Sequence, residues 1–190
     1  MLRSITPLFA MAFFASVPAL ASEPIAVPHF DSVELHTGGD VTIVPGPVQR
    51  VTLIAGSREF THFAVRDGNK LEIRTSCDNR CPHIYKLQIQ IESPQVPDVA
   101  VNAGGTIVAQ RGFAVQRTIS AAVQAGGTID LRAIEADSVS AAINAGGDIY
   151  VRPRASLNAA VNAGGEVHYS GNPQVSMAVA NGGDVRRERY

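Results

Sequence analysis

The chain has 190 residues, a formal net charge of −1 and no tryptophan. Acidic and basic residues are interspersed, so there is no basic field to attract nucleic acid. At 6% of the chain, aromatic residues are too sparse for a base-stacking platform or a typical aromatic-lined sugar cleft.

The first 21 residues read as a secretory signal peptide. Arg3 supplies the positive start, Pro7 to Val17 is apolar but short for a membrane span, and Ala19-Leu20-Ala21 is a small-x-small cleavage signal. No Cys follows the apolar run and no second long apolar run exists, so residues 22–190 are expected as one exported domain without a transmembrane segment.

Residues 29–97 alternate irregularly. Ser32 to Leu35, Val41 to Val44 and Val51 to Ala55 read as short strands, and Phe63 to Ile73 reads as a hairpin around Asp67-Gly68. Leu87, Ile89 and Ile91 continue the alternation. These residues are expected to form wider, irregular rungs that cap one end of a core. Cys77 and Cys81 are the only cysteines. In an exported chain they are expected to form a disulfide that pins a loop, worth about 2 kcal/mol for so small a ring. Three intervening residues do not suit a redox pair, and with His83 a metal site lacks a fourth ligand.

From residue 98 to 185 a Gly-Gly pair recurs at Gly104, Gly126, Gly146, Gly164 and Gly182, at spacings of 22, 20, 18 and 18 residues. An earlier copy stands at Gly38-Gly39. Repetition at about 20 residues predicts a stack of similar units, and the period of two within each unit makes them β. The fold expected is an all-β, single-domain β-solenoid, parallel β-helix-like, with irregular N-terminal strands and a hairpin. Before the corners, Ile119/Ala121/Val123/Ala125, Val139/Ala141/Ile143/Ala145, Leu157/Ala159/Val161/Ala163 and Val175/Met177/Val179 should point inward. After them Ile107, Ile129, Ile149, Val167 and Val185 should do the same.

The opening Phe30-Asp31-Ser32-Val33-Glu34-Leu35, the repeated Ala-Gly-Gly turn, which reads Ala-Gly-Gly-Asp-Ile at Ala145–Ile149, and the close Tyr169-Ser170-Gly171-Asn172-Pro173 with Gly183-Asp184-Val185-Arg186-Arg187 resemble the putative auto-transporter adhesin head GIN domain family. The resemblance spans residues 29–189 and implies a β-solenoid of the bacterial envelope with no catalytic residues to carry over. With no room for a membrane barrel, self-translocation is not expected; the location implied is the periplasm or the cell surface.

The two outer faces differ. Before each corner the face is uncharged, with a column of Ala122, Ala142, Ala160 and Ala178, a candidate interface for a homo-oligomer or partner. Its Asn and Gln residues are placed to bond from rung to rung. After each corner the face is charged, and Asp130, Arg132, Asp148, Tyr150, Arg152, Glu166 and His168 are the candidate binding residues. Asp148, Glu166 and Asp184 should stack about 4.8 Å apart. Nearby arginines are expected to compensate them; a divalent cation is the lesser alternative, since the calcium-binding nonapeptide pattern needs a third Gly that is missing. No metal site or cofactor is assigned. His29, His36 and His62 lack metal-ligand spacing.

The function expected is that of a non-catalytic envelope protein, adhesin-like, binding a partner or glycan. Two alternatives stand beside it: a polysaccharide-processing enzyme using Asp148, Tyr150, Arg152 and His168, and a purely structural, self-associating periplasmic protein.

Overall fold

The computed structural model describes residues 22–77 and 85–189. The signal peptide and Cys81 lie outside the described residues. The described residues form fifteen strands and no helix. In the N-terminal part these are β1 (Glu23–Ile25), β2 (Ser32–Leu35), β3 (Asp40–Pro45), β4 (Arg50–Ala55), β5 (Thr61–Arg66), β6 (Lys70–Thr75) and β7 (Gln88–Ser93). The repeat region supplies β8 (Asp98–Val101), β9 (Thr106–Ala109), β10 (Gln116–Ala125), β11 (Thr128–Ala145), β12 (Asp148–Ala163), β13 (Glu166–Tyr169), β14 (Gln174–Val179) and β15 (Asp184–Arg187). All belong to one mixed, nearly closed, barrel-like sheet.

Two parallel walls run through it. One contains β6, β2, β8, β10, the second half of β11, the second half of β12, and β14. The other contains β7, β3, β9, the start of β11, the start of β12, β13 and β15. Equivalent residues of successive repeats stand side by side. Ile89, Val41, Ile107, Ile129, Ile149, Val167 and Val185 form one unbroken ladder. Ile73, Leu35, Val101, Val123, Ile143, Val161 and Val179 form the facing one. Most are fully buried, and each large side chain so removed from water contributes about 1.5–3 kcal/mol.

The chain order of the tiers is not their spatial order. Residues 32–45 stack directly on residues 98–109, and residues 70–93 lie on the far side of them. The chain therefore leaves after its first tier and returns to build outward from it. The intervening strands are antiparallel: β4 pairs with β7 and β1, and β5 with β6 across the expected hairpin turn. These strands extend that end of the sheet. At the other end no further strand among the described residues lies beyond β14 and β15.

That open end overturns two inward assignments. Met177 and Val179 continue the core ladders yet remain 59% and 44% exposed, because no further tier among the described residues covers them. Ala125, Ala145 and Ala163 are also exposed, since the chain has begun its corner by the time it reaches them. At Gly147 the corner has φ of 102°, and a Cβ there would stand 2.6 Å from the Gly127 carbonyl oxygen. Only glycine fits a backbone that close. The Asp148 amide donates to the Gly127 carbonyl at 3.0 Å and the Glu166 amide to that of Gly147 at 3.0 Å. Corner stacking thus sets the column of acidic residues directly after it.

Candidate functional site: a charged wall with two chemistries

The outward residues of the second wall form columns. Asp148 stands beside Glu166 and Glu166 beside Asp184, as expected from the repeat. In the next outward column Asp130, Tyr150, His168 and Arg186 are neighbours in turn. The Arg132 guanidinium lies over the Tyr150 ring at 4.6 Å, and Tyr150 stacks on His168 with centroids 4.3 Å apart. Cation–π and ring-stacking contacts therefore tie three tiers together.

At one margin of this wall lies a cleft of about 550 Å³. Arg111, Arg132 and Arg152 line it, one from each of three successive tiers, with Asp130 and Ser170 beside them. Arg132 is held by Asp130: its Nε donates to Oδ1 at 2.9 Å and its backbone amide to the same oxygen at 3.1 Å. Burial works against the Asp130 charge, but the Arg132 side-chain and backbone bonds outweigh it and hold the carboxyl below its ordinary value of 3.8. Arg152 pairs with Glu135 at 2.9 Å. Arg111 follows β9 and is exposed. Sequence reasoning missed it because it falls in an irregular turn outside the repeat. Tyr150, Asp148, Glu166 and His168 do not line this cleft.

His168 departs most from expectation. The strand pattern places it outward, yet it is only 4% exposed, covered from the last tier and from Glu188. Its Nδ1 lies 2.7 Å from Glu188 Oε1. Arg186 Nε approaches the same nitrogen at 3.3 Å, but the shorter contact is to a carboxylate that can only accept, which assigns the proton to His168 Nδ1. Its Nε2 lies 3.1 Å from Glu166 Oε2 and 4.0 Å from Asp148 Oδ1, but makes no hydrogen bond. Arg186 pairs with the same Glu166 oxygen. Arginine compensation therefore reaches Glu166, while Asp148 lies 4.0 Å from His168 Nε2.

A second histidine cluster lies on the other wall. Glu34 on β2, His36 just after that strand and Glu72 on β6 come together. The Asn102 amide donates to His36 Nδ1 at 2.8 Å, leaving Nε2 to donate to Glu34 Oε2 at 3.0 Å. Lys70 pairs with Glu34, and Arg66 and Arg74 pair with Glu72.

Beyond Glu34 the same column becomes the alanine stripe, through Ala100, Ala122, Ala142, Ala160 and Ala178. Beside it the expected amide ladder is present: Asn162 donates to Asn144 at 2.7 Å and Asn144 to Gln124 at 2.9 Å.

Residues 99–173 match the family model described as putative auto-transporter adhesin, head GIN domain. No curated protein matches the chain. A putative adhesin of solved structure from Bacteroides fragilis NCTC 9343 is similar, with 17% identity, TM-score 0.50, and coverage of 90% of this chain and 98% of that one. Another putative adhesin, from Parabacteroides merdae ATCC 43184, has 13% identity, TM-score 0.46, and coverage of 90% and 97%. At 17% identity the likeness to the Bacteroides fragilis protein is one of fold. The matched segment holds four of the five Gly-Gly corners, so over residues 99–173 the chain is a match to the putative auto-transporter adhesin, head GIN domain family.

Proposed function

We propose that this is a non-catalytic, adhesin-like protein, exported to the bacterial envelope, whose repeat region is a β-solenoid presenting its charged wall to an acidic glycan. The repeat-on-repeat parallel registers support the solenoid reading. The observation that carries the binding reading is the arginine cleft. Arginines from three successive tiers line one open cleft, and their planar forks match carboxylate or sulfate groups spaced along a chain. A repeating acidic polymer would meet a repeating row of cations. Binding to an immobilised polyuronate should be saturable, at least tenfold weaker after Arg111→Ala with Arg152→Ala, and absent for neutral dextran. Equal binding to both polymers, or to neither, sinks this reading.

A second reading is favoured by the open end. Met177 and Val179 there continue the core without cover, beside a groove formed with Ala142, Ala160 and Ala178. A second copy would bury them. Light scattering would then show a dimer that Met177→Lys returns to monomer, and Ala142→Lys tests the alanine stripe in the same way. Export also carries the proposal that Cys77 and Cys81 are bridged; mass spectrometry before and after reduction, differing by two hydrogens, tests it.

A further inference from the structure

We propose that Asp148, Glu166 and His168 form a binding site for a borderline divalent cation, of which Zn²⁺ is the type. The acidic pair alone would not carry this. The second observation is His168 itself, a buried imidazole whose Nε2 has no hydrogen-bond partner and lies against two carboxylates. Nδ1 is engaged by Glu188 at 2.7 Å, so Nε2 is the ring atom left facing Glu166 and Asp148. Two carboxylates and the unpartnered Nε2 thus face one another, with the Arg186 guanidinium already drawn onto the Glu166 oxygen, an arrangement that a cation resolves.

The geometry fits. The three ligand atoms lie within 4.8 Å of one another. Two donors on one zinc at about 2.1 Å each stand roughly 3.4 Å apart. His168 and Glu166 already meet that spacing at 3.1 Å, and Asp148 at 4.0 Å needs to close by a fraction of an ångström. Glu188 on Nδ1 supplies the carboxylate behind the histidine that orients a ligating ring and raises its basicity. A nitrogen donor with two carboxylates favours zinc-like ions over calcium, which prefers all-oxygen sites with more ligands. Arg186 shares the Glu166 oxygen and must yield to the ion, so it is a built-in competitor. None of the three ligands lines the arginine cleft, so glycan binding and cation binding can fail separately.

The test is titration of tag-free, chelator-stripped protein with zinc chloride by calorimetry, repeated with Co²⁺ by visible absorption. One equivalent should bind, with affinity at least tenfold weaker in Asp148→Asn and in His168→Gln, several-fold tighter in Arg186→Ala, and unchanged in His36→Gln. Asp148→Asn guards against misfolding, since Asp148 is half-exposed and outside the core. Calcium at a hundredfold excess should not displace zinc. The proposal is overturned if no stoichiometric binding occurs below 1 mM (roughly −4 kcal/mol), if Asp148→Asn binds as the parent does, if His36→Gln is the variant that loses binding, or if calcium displaces zinc.

Discussion

The two histidine clusters are built from the same parts and reach opposite solutions. Each sets two carboxylates and one imidazole on the outer face of a wall, in adjacent tiers. On β2 and β6, His36 has a donor on one nitrogen and an acceptor on the other, and Lys70, Arg66 and Arg74 balance the two glutamates. On β12 and β13, His168 meets a carboxylate on Nδ1 and two more near Nε2, with Arg186 the one guanidinium on Glu166. The difference shows that residue types and spacing do not define a site. What decides is whether neighbouring tiers complete the hydrogen bonding or leave an atom without a partner.

Substitutions can break or sharpen that contrast. The largest effect should come from Gly147→Val, which puts a branched side chain at positive φ against the Gly127 carbonyl. It should cost more than about 3 kcal/mol in chemical denaturation, combining backbone strain with steric overlap, and erase the His168 cluster with the corner that spaces it. Next, Lys70→Met should destabilise by about 1 kcal/mol, because it leaves Glu34 beside Glu72 with less compensation. Asp148→Asn should do the reverse in the presence of a chelator. It removes one of two like charges set side by side in the ladder and should stabilise by about 0.5 kcal/mol. Opposite signs for these two neutralisations would establish that one cluster is balanced and the other is not.

The smallest effect concerns acid. The Asp130 carboxyl is held below 3.8, chiefly against burial and by Arg132. A carboxyl lowered on folding contributes stability that is complete above the unfolded value and is lost as pH falls through the folded one. Arg132→Met should therefore lower the neutral plateau slightly, leave the acid end little changed and so flatten the loss of stability below about pH 4, read by thermal melts across pH 2–7.

Much of this was legible in the sequence. The Gly-Gly spacing located the corners, and alternation located the inward Ile, Leu and Val residues and the columns of alanine, amide and acid. Three things were not legible. The insertion of residues 32–45 between 70–93 and 98–109 arises from long-range pairing, which local patterns do not encode. The exposure of Met177 and Val179 depends on what lies beyond the last tier, and a repeat reads the same at its end as in its middle. The burial of His168 depends on Arg186 and Glu188, which are 18 and 20 residues away. Position 168 of the pattern predicts an outward side chain correctly and cannot register that the next tier covers it.

The most direct test of the contrast is long-range ¹H–¹⁵N NMR of the imidazole nitrogens, with and without one equivalent of zinc. The account predicts that His36, bonded to Asn102 through Nδ1 and to Glu34 through Nε2, is indifferent to zinc. It predicts that the Nε2 resonance of His168 shifts or broadens when zinc is added, while Nδ1 stays bonded to Glu188. A His168 whose Nε2 resonance ignores zinc would contradict it.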